Sequence, residues 1–153
     1  MANFNFIYAH KDYNKIKGLC RQVKVNKNLD IAAFILSKLI PNDYAVIPMP
    51  GHTGYATWSL NLANKLKLFR SDLCIFDCLY EIPNEGVCES KKHKVKLTPN
   101  IIVKYGYIPP QRNVVLLDNV YDTGSTYNAA CEAIGMKIPI VVLGKTLKYK
   151  NHD

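Results

Sequence analysis

Hydrophobic positions along the chain fall first into short continuous runs that predict strands. Residues 114–117, VVLL, are apolar without alternation, as in a parallel strand that is covered on both faces. Other apolar runs predict strands at 44–48, 71–80 and 139–146, and the N-terminal FNFIYAH predicts one more. The predicted strands are therefore spread along the whole chain.

Helical patterns separate these strands. Residues 28–40 carry large apolar side chains at helical spacing, which are predicted to pack on the sheet: Ile31, Phe34, Ile35 and Leu39. Further helices are predicted within 55–69 and from 126 to a stop at Gly135. The chain has 153 residues, about the size of one domain, and no internal repeat or linker. We therefore expect a single α/β domain spanning residues 1–153.

The run at 114–117 ends in an acidic residue and then in a small, hydroxyl-rich turn. Asp118 marks the carboxyl end of the strand, and the turn follows as Asp122, Thr123, Gly124, Ser125 and Thr126. Ligands of open α/β sheets sit at the carboxyl ends of strands, where a helix N-terminus favours anions. Gly124 would allow close backbone approach, and the hydroxyls would add donors. The pattern predicts a phosphate-binding loop; the alternative is a buried strand and a capped helix without a ligand.

Residues 114–126 resemble the signature of the type I phosphoribosyltransferases, which is an apolar strand, an acidic pair, two further apolar residues and Thr-Gly. The resemblance implies a doubly wound, mainly parallel sheet with a flexible loop and a small hood, led here by FNFIYAH. It also implies that the acidic pair holds the ribose hydroxyls of 5-phosphoribosyl 1-pyrophosphate (PRPP). Residues 122–126 would then bind its 5-phosphate. Mg²⁺ is the expected cofactor, with Asp118 as its protein ligand.

Two positions of this motif affect what the resemblance implies. Asn119 replaces the second acid, so it can hydrogen-bond a ribose hydroxyl but brings no charge. Asp122 resembles the purine-salvage members, in which a carboxylate here is a candidate general base, although Asp also commonly caps a turn or a helix. Asp118 and Asp122 are the predicted catalytic residues. On the enzyme interpretation, Asn119→Asp should raise any weak transferase activity.

A second candidate anion loop follows the strand at 44–48. It consists of Pro50, Gly51, His52, Thr53 and Gly54 before a helical stretch, and the resemblance implies that it binds the pyrophosphate group. The Pro-x-Pro is most similar to small amidophosphoribosyltransferase-like proteins related to competence factors. The family usually places an Arg or Lys in or near this loop, and neither occurs between Tyr44 and Asn64.

A polar, highly charged stretch at 84–100 lies between the two loops and is predicted to be a long exposed loop. By resemblance it would close over the site, with Lys91, Lys92 and His93 neutralising the leaving pyrophosphate. The alternatives are a solvated charge run or a nucleic-acid patch.

Overall composition limits the classes of function. The net charge is +8, which attracts polyanions such as PRPP and nucleic acid, but no helix-turn-helix, zinc-finger or RNA-recognition signature occurs. No apolar run is long enough to span a bilayer, the N-terminus lacks a secretion signal, and the five cysteines are odd in number. A cytoplasmic location with free thiols and no membrane partner is expected.

The predicted function is transfer of the phosphoribosyl group from PRPP to a nitrogen acceptor, either a nucleobase or an amine, with release of pyrophosphate. One alternative is a non-catalytic regulator that senses PRPP or nucleotides or binds nucleic acid. Another is a hydrolase or phosphorylase that acts on ribosyl phosphates. Family members often dimerise, so the resemblance also allows a homodimer.

Overall fold

The computed structural model of the chain describes residues 7–83, 99–104 and 113–146. These ranges contain four α-helices: α1 (Tyr13–Lys24), α2 (Leu29–Ser37), α3 (Trp58–Phe69) and α4 (Ser125–Ile134). They also contain eight strands: β1 (Ile7–Asp12), β2 (Ala45–Pro48), β3 (Cys74–Ile75), β4 (Leu79–Glu81), β5 (Ile101–Val103), β6 (Val114–Leu117), β7 (Val120–Tyr121) and β8 (Ile140–Lys145).

The main sheet has six strands in the order β1-β8-β6-β2-β3, with β7 paired to β8 near its carboxyl end. Each pairing of this sheet is parallel. β4 and β5 form a separate antiparallel pair. The α/β class and the mainly parallel sheet predicted from the sequence are confirmed.

Helices cover both faces of the main sheet. Alternate strand residues, such as Val46 and Val115, pack into one core with α1, α2 and α3. Their neighbours, such as Ile47 and Leu116, pack into a second core with α4. All four residues of β2 and of β6 are buried, which explains why their sequences are apolar without alternation. The architecture agrees with a doubly wound fold.

The sheet reverses its direction of winding between β2 and β6. These two strands are neighbours, with Pro48 opposite Leu117 at their carboxyl ends. The chain leaves β2 through α3 to reach β3 on one side, and leaves β6 through α4 to reach β8 on the other. A crevice opens at such a switch point because the two connections diverge, and ligands of open α/β sheets bind there.

Three predicted elements differ in the structure. Ile31 and Phe34 are about half exposed, at 53% and 51%, because α2 turns its small residues and Leu36 toward the core. Residues 71–80 form parts of two short strands in different sheets instead of one strand. β1 joins the main sheet beside β8 and does not belong to a separate hood.

Some predictions fall outside the described residues. They include the charged loop with Lys91, Lys92 and His93, of which only the flanking strands β4 and β5 are described. Among the described helices, none combines the length and the apolar character needed to cross a membrane.

Candidate functional site

A cleft of about 580 Å³ lies at the switch point, a volume in the range of small-molecule sites. Both loops that the sequence singled out contribute to its lining. The loop after β2 provides Pro50, Gly51, His52 and Thr53, and the segment after β6 provides Asp118, Asn119, Asp122 and Thr126. The two loops lie close together because β2 and β6 pair in a register that places their carboxyl ends side by side.

Asp118 is held at the end of β6 by backbone pairing. Its own N–H donates to the Val141 carbonyl at 3.1 Å, and its Oδ1 accepts from the Asn119 N–H at 2.8 Å. Burial raises the pKa of Asp118 to about 6, although the Asn119 N–H and the positive charge of Lys24 both lower it in part. Asp118 is therefore a carboxylate that changes charge close to neutral pH.

Asn119 is buried and fixes the strand end to α1. Its Nδ2 donates to the Cys20 carbonyl at 2.9 Å, and its backbone carbonyl accepts from Leu143 and Gly144 at 3.0 and 3.2 Å. The Cys20 thiol donates to the same carbonyl over 3.7 Å. Asn119 thus lines the cleft while its amide nitrogen is used inside the protein.

The turn after β7, which the sequence predicts to bind phosphate, is held by hydrogen bonds within it. The Ser125 N–H donates to Thr123 Oγ1 at 3.1 Å, and the hydroxyls of these two residues are 2.8 Å apart. Gly124 has φ +82°, and a Cβ there would lie 2.6 Å from Tyr121 Oη. A second cavity of about 90 Å³ is lined by Thr123, Gly124 and Thr126, and it shares Asp118, Asp122 and Thr126 with the cleft. The loop therefore adjoins the acidic strand end.

Asp122 lies between the loop and the last strand. Its Oδ1 accepts a hydrogen bond from Thr146 Oγ1 at 2.9 Å, and both residues line the cleft. The bond orients one carboxylate oxygen from the far end of β8. Asp122 therefore contacts the site directly, whether it serves as a base or as an anchor for the turn.

The loop after β2 is closed by its own backbone. The Gly51 N–H donates to the Tyr55 carbonyl at 3.1 Å, and the Gly54 N–H donates to the Gly51 carbonyl at 3.0 Å. These two donors are used within the loop. Gly54 has φ +109° and lies against the Tyr80 ring, where a Cβ would come within 2.6 Å. Pro50, His52 and Thr53 remain as loop residues that face the cleft.

Two cations that sequence reasoning missed line the cleft from α1. Arg21 and Lys24 lie in the last turn of this helix, both are exposed, and both border the cleft. Cys20 and Val23 of the same turn are buried where α1 packs on the sheet. The amphipathic pattern of residues 13–24 could have predicted this helix. No local sequence signal shows that its last turn lies beside the carboxyl end of β6.

Glu81 is a second residue that the sequence did not single out. It is 9% exposed at the end of β4 and lines the cleft, and its Oε2 lies 3.7 Å from the exposed His52 Nδ1. Burial raises the pKa of Glu81, and His52 lowers it in part. The sequence predicts one strand over 71–80, whereas the chain breaks between β3 and β4, and Glu81 is the last residue of β4. Trp58, at the start of α3, packs against the core and also borders the cleft.

The chain matches no protein-family model, and no curated protein matches it at a significant level.

Proposed function

We propose that this protein is a type I phosphoribosyltransferase-like enzyme that binds PRPP and transfers its phosphoribosyl group to a nitrogen acceptor. One observation carries the proposal. The two loops that resemble the pyrophosphate and 5-phosphate loops of that family lie at neighbouring strand ends and line one cleft with Asp118. The alternative interpretation of residues 114–126, a buried strand and a capped helix without a ligand, does not account for a second loop of this kind at the same edge of the sheet.

In this proposal the chain contributes mainly position and charge. The loop 122–126 holds the 5-phosphate at the N-terminus of α4, where backbone dipoles favour an anion. Asp118 accepts a hydrogen bond from a ribose hydroxyl. Displacement of pyrophosphate at C1 by the acceptor nitrogen then proceeds with oxocarbenium character, and pyrophosphate takes the electron pair of the broken bond. Fixed charges of the cleft stabilise the leaving group.

A magnesium ion fits this site as a companion of the substrate. Among the residues that the structure describes, no group of three or more His, Cys, Asp and Glu side chains could hold a metal by itself. Mg²⁺ commonly uses one or two carboxylates together with substrate phosphates, so the Asp118 carboxylate suits it. The ion would supply charge neutralisation for the phosphates of the donor.

Asp122 is the general base of the proposed reaction. It borders both cavities and is oriented by Thr146, so it lies next to the bound ribose phosphate. A positioned base contributes about 10²–10⁴-fold to a rate. Asp122→Asn keeps an oxygen that can accept from Thr146, and we expect it to slow transfer at least about tenfold while donor affinity changes little.

Release of pyrophosphate tests the proposal. PRPP, magnesium and a panel of purines, pyrimidines and amines are incubated with the protein, and products are identified by mass spectrometry. Pyrophosphate release that requires one class of acceptor, with a matching N-glycosidic product, supports transfer. Release without any acceptor would make the protein a hydrolase. Donor binding without turnover on the whole panel would favour a non-catalytic sensor.

A further inference from the structure

The pyrophosphate end of the cleft lacks a cation in its own loop. Neither Arg nor Lys occurs between Tyr44 and Asn64, and the N–H groups of Gly51 and Gly54 donate to carbonyls of the same loop. His52 is exposed and pairs loosely with Glu81. A pyrophosphate group carries several negative charges, so this loop alone offers it too little compensation.

Helix α1 delivers two cations to the same cleft. Arg21 and Lys24 are one turn apart on this helix and border the cleft together with Pro50, Gly51 and His52. Neither forms an ion pair with another described residue. Their charges are therefore available to a ligand.

The C-terminal part of α1 is fixed to the end of β6 by a hydrogen bond. Asn119 Nδ2 donates to the carbonyl of Cys20, the residue directly before Arg21. At the other end of the helix, a Cβ on Gly144 would lie 3.0 Å from Tyr13 Cα, so α1 and β8 approach closely. The strand end that carries Asp118 therefore also sets the position of Arg21 and Lys24.

We infer that Arg21 and Lys24 bind the pyrophosphate group of the donor, and that α1 supplies the cations that the loop after β2 lacks. Arg21 offers a planar fork of N–H donors for two phosphate oxygens, and Lys24 offers a compact positive charge. α1 presents its C-terminal end, where the helix dipole disfavours anions, so the attraction comes from the side chains. This inference rests on the proposed function, since it names the residues that hold its leaving group.

Calorimetric titration with inorganic pyrophosphate, at fixed magnesium and salt, tests the inference. Arg21→Ala and Lys24→Ala should each weaken binding about tenfold or more, because each removes a charge-assisted phosphate contact. Arg21→Lys should restore part of the affinity by returning the charge without the fork. Circular dichroism checks that each variant is folded.

Lys15→Ala is the matched control. Lys15 is exposed on the same helix, nine residues before Lys24 and so half a turn away around the helix, and it does not line the cleft. It changes the net charge equally and should leave pyrophosphate affinity unchanged. An equal loss in this variant, unchanged affinity in Arg21→Ala and Lys24→Ala, or no binding of pyrophosphate by the parent would each overturn the inference.

A parallel titration with PRPP separates this inference from the proposed function. If Asp118→Ala weakens PRPP binding while Arg21→Ala and Lys24→Ala do not, the donor site is retained and the role of α1 is rejected. Pyrophosphate binding that depends on both cations, in a protein that does not bind PRPP, would retain the anion site and reject the phosphoribosyltransferase function.

Discussion

Asp118 is a cleft residue whose pKa lies well above its ordinary value. Burial raises its pKa to about 6 from 3.8. Between these values the folded protein keeps a proton that the unfolded chain releases, so the free energy of unfolding falls as the pH rises through this window. Above about pH 6 this fall is nearly complete.

We predict that Asp118→Asn removes this fall, because Asn keeps an acceptor for the Asn119 N–H but cannot ionise. The stability of the variant relative to the parent should grow by on the order of 2 kcal/mol between about pH 4 and pH 7. Urea unfolding at several pH values measures it. Asp72→Asn is the control: Arg70 holds the pKa of Asp72 at about 2, so its effect should stay flat above about pH 5. A flat profile for Asp118→Asn as well would contradict the assignment.

The structure and the sequence motif predict different effects for the substitution Asn119→Asp. The motif alone suggests that Asn119→Asp restores an acidic pair and raises activity. In the structure this change leaves the Cys20 carbonyl without its donor and buries a second carboxylate beside Asp118. The structure therefore predicts a loss of about 3 kcal/mol in stability and no gain in activity for this variant.

Asn119→Ala serves as the comparison, since it removes the same hydrogen bond without adding charge. The difference between the two variants, followed by urea unfolding, should widen as the pH rises and the new carboxylate ionises. An Asn119→Asp protein that is as stable as the parent and turns over faster would refute this account.

Gly124, in the turn 122–126, is expected to tolerate substitution poorly. Gly124→Ala forces an L-residue to φ +82° and brings its Cβ within 2.6 Å of Tyr121 Oη. Gly135→Ala has the same kind of backbone, φ +90°, but no atom within 4 Å of the new Cβ. The control should therefore lose about 1–2 kcal/mol from the left-handed conformation, and Gly124→Ala should lose more and also weaken PRPP binding. Equal losses of thermal stability in Gly124→Ala and Gly135→Ala would show that the Tyr121 side chain moves aside without cost.

At the scale of elements, local sequence patterns predicted the positions of β2 and β6 better than they predicted which face of a helix packs on the core. Residues 114–117 and 44–48 were predictable because strands buried on both sides are apolar throughout. Helix α2 was harder, since it is apolar nearly all round and Ala32 and Ala33 approach the core more closely than large side chains can. Phe34 lies instead on the surface against Phe69 of α3, edge to face at 5.7 Å.

Helix α1 contains a glycine that its packing does not require. Gly18 lies in its interior, and a Cβ there would meet nothing within 4 Å. Gly18→Ala should raise the free energy of unfolding by about 0.5–1 kcal/mol, since it lowers the entropy of the unfolded chain and favours the helix. Gly144→Ala is the contrasting change, because its Cβ would press on Tyr13 Cα and displace α1 from β8. Urea unfolding that finds no gain for Gly18→Ala would contradict the helix position.

At the scale of the whole molecule, the site is assembled by topology that no local pattern encodes. Asp118 and the loop 50–54 could be singled out because each follows its own strand. Their adjacency depends on β2 pairing with β6 across a long stretch of chain. Arg21 and Glu81 were missed for the same reason, since only the folded arrangement of α1 and β4 brings them to that edge.

Calorimetric titration with PRPP, with and without magnesium, tests the central claim most directly. The parent should bind in a magnesium-dependent manner, and Asp118→Ala and Thr123→Ala should both weaken binding by about tenfold or more, since one removes the carboxylate and the other the hydroxyl that orders the phosphate loop. A parent that binds no PRPP under either condition would contradict the account.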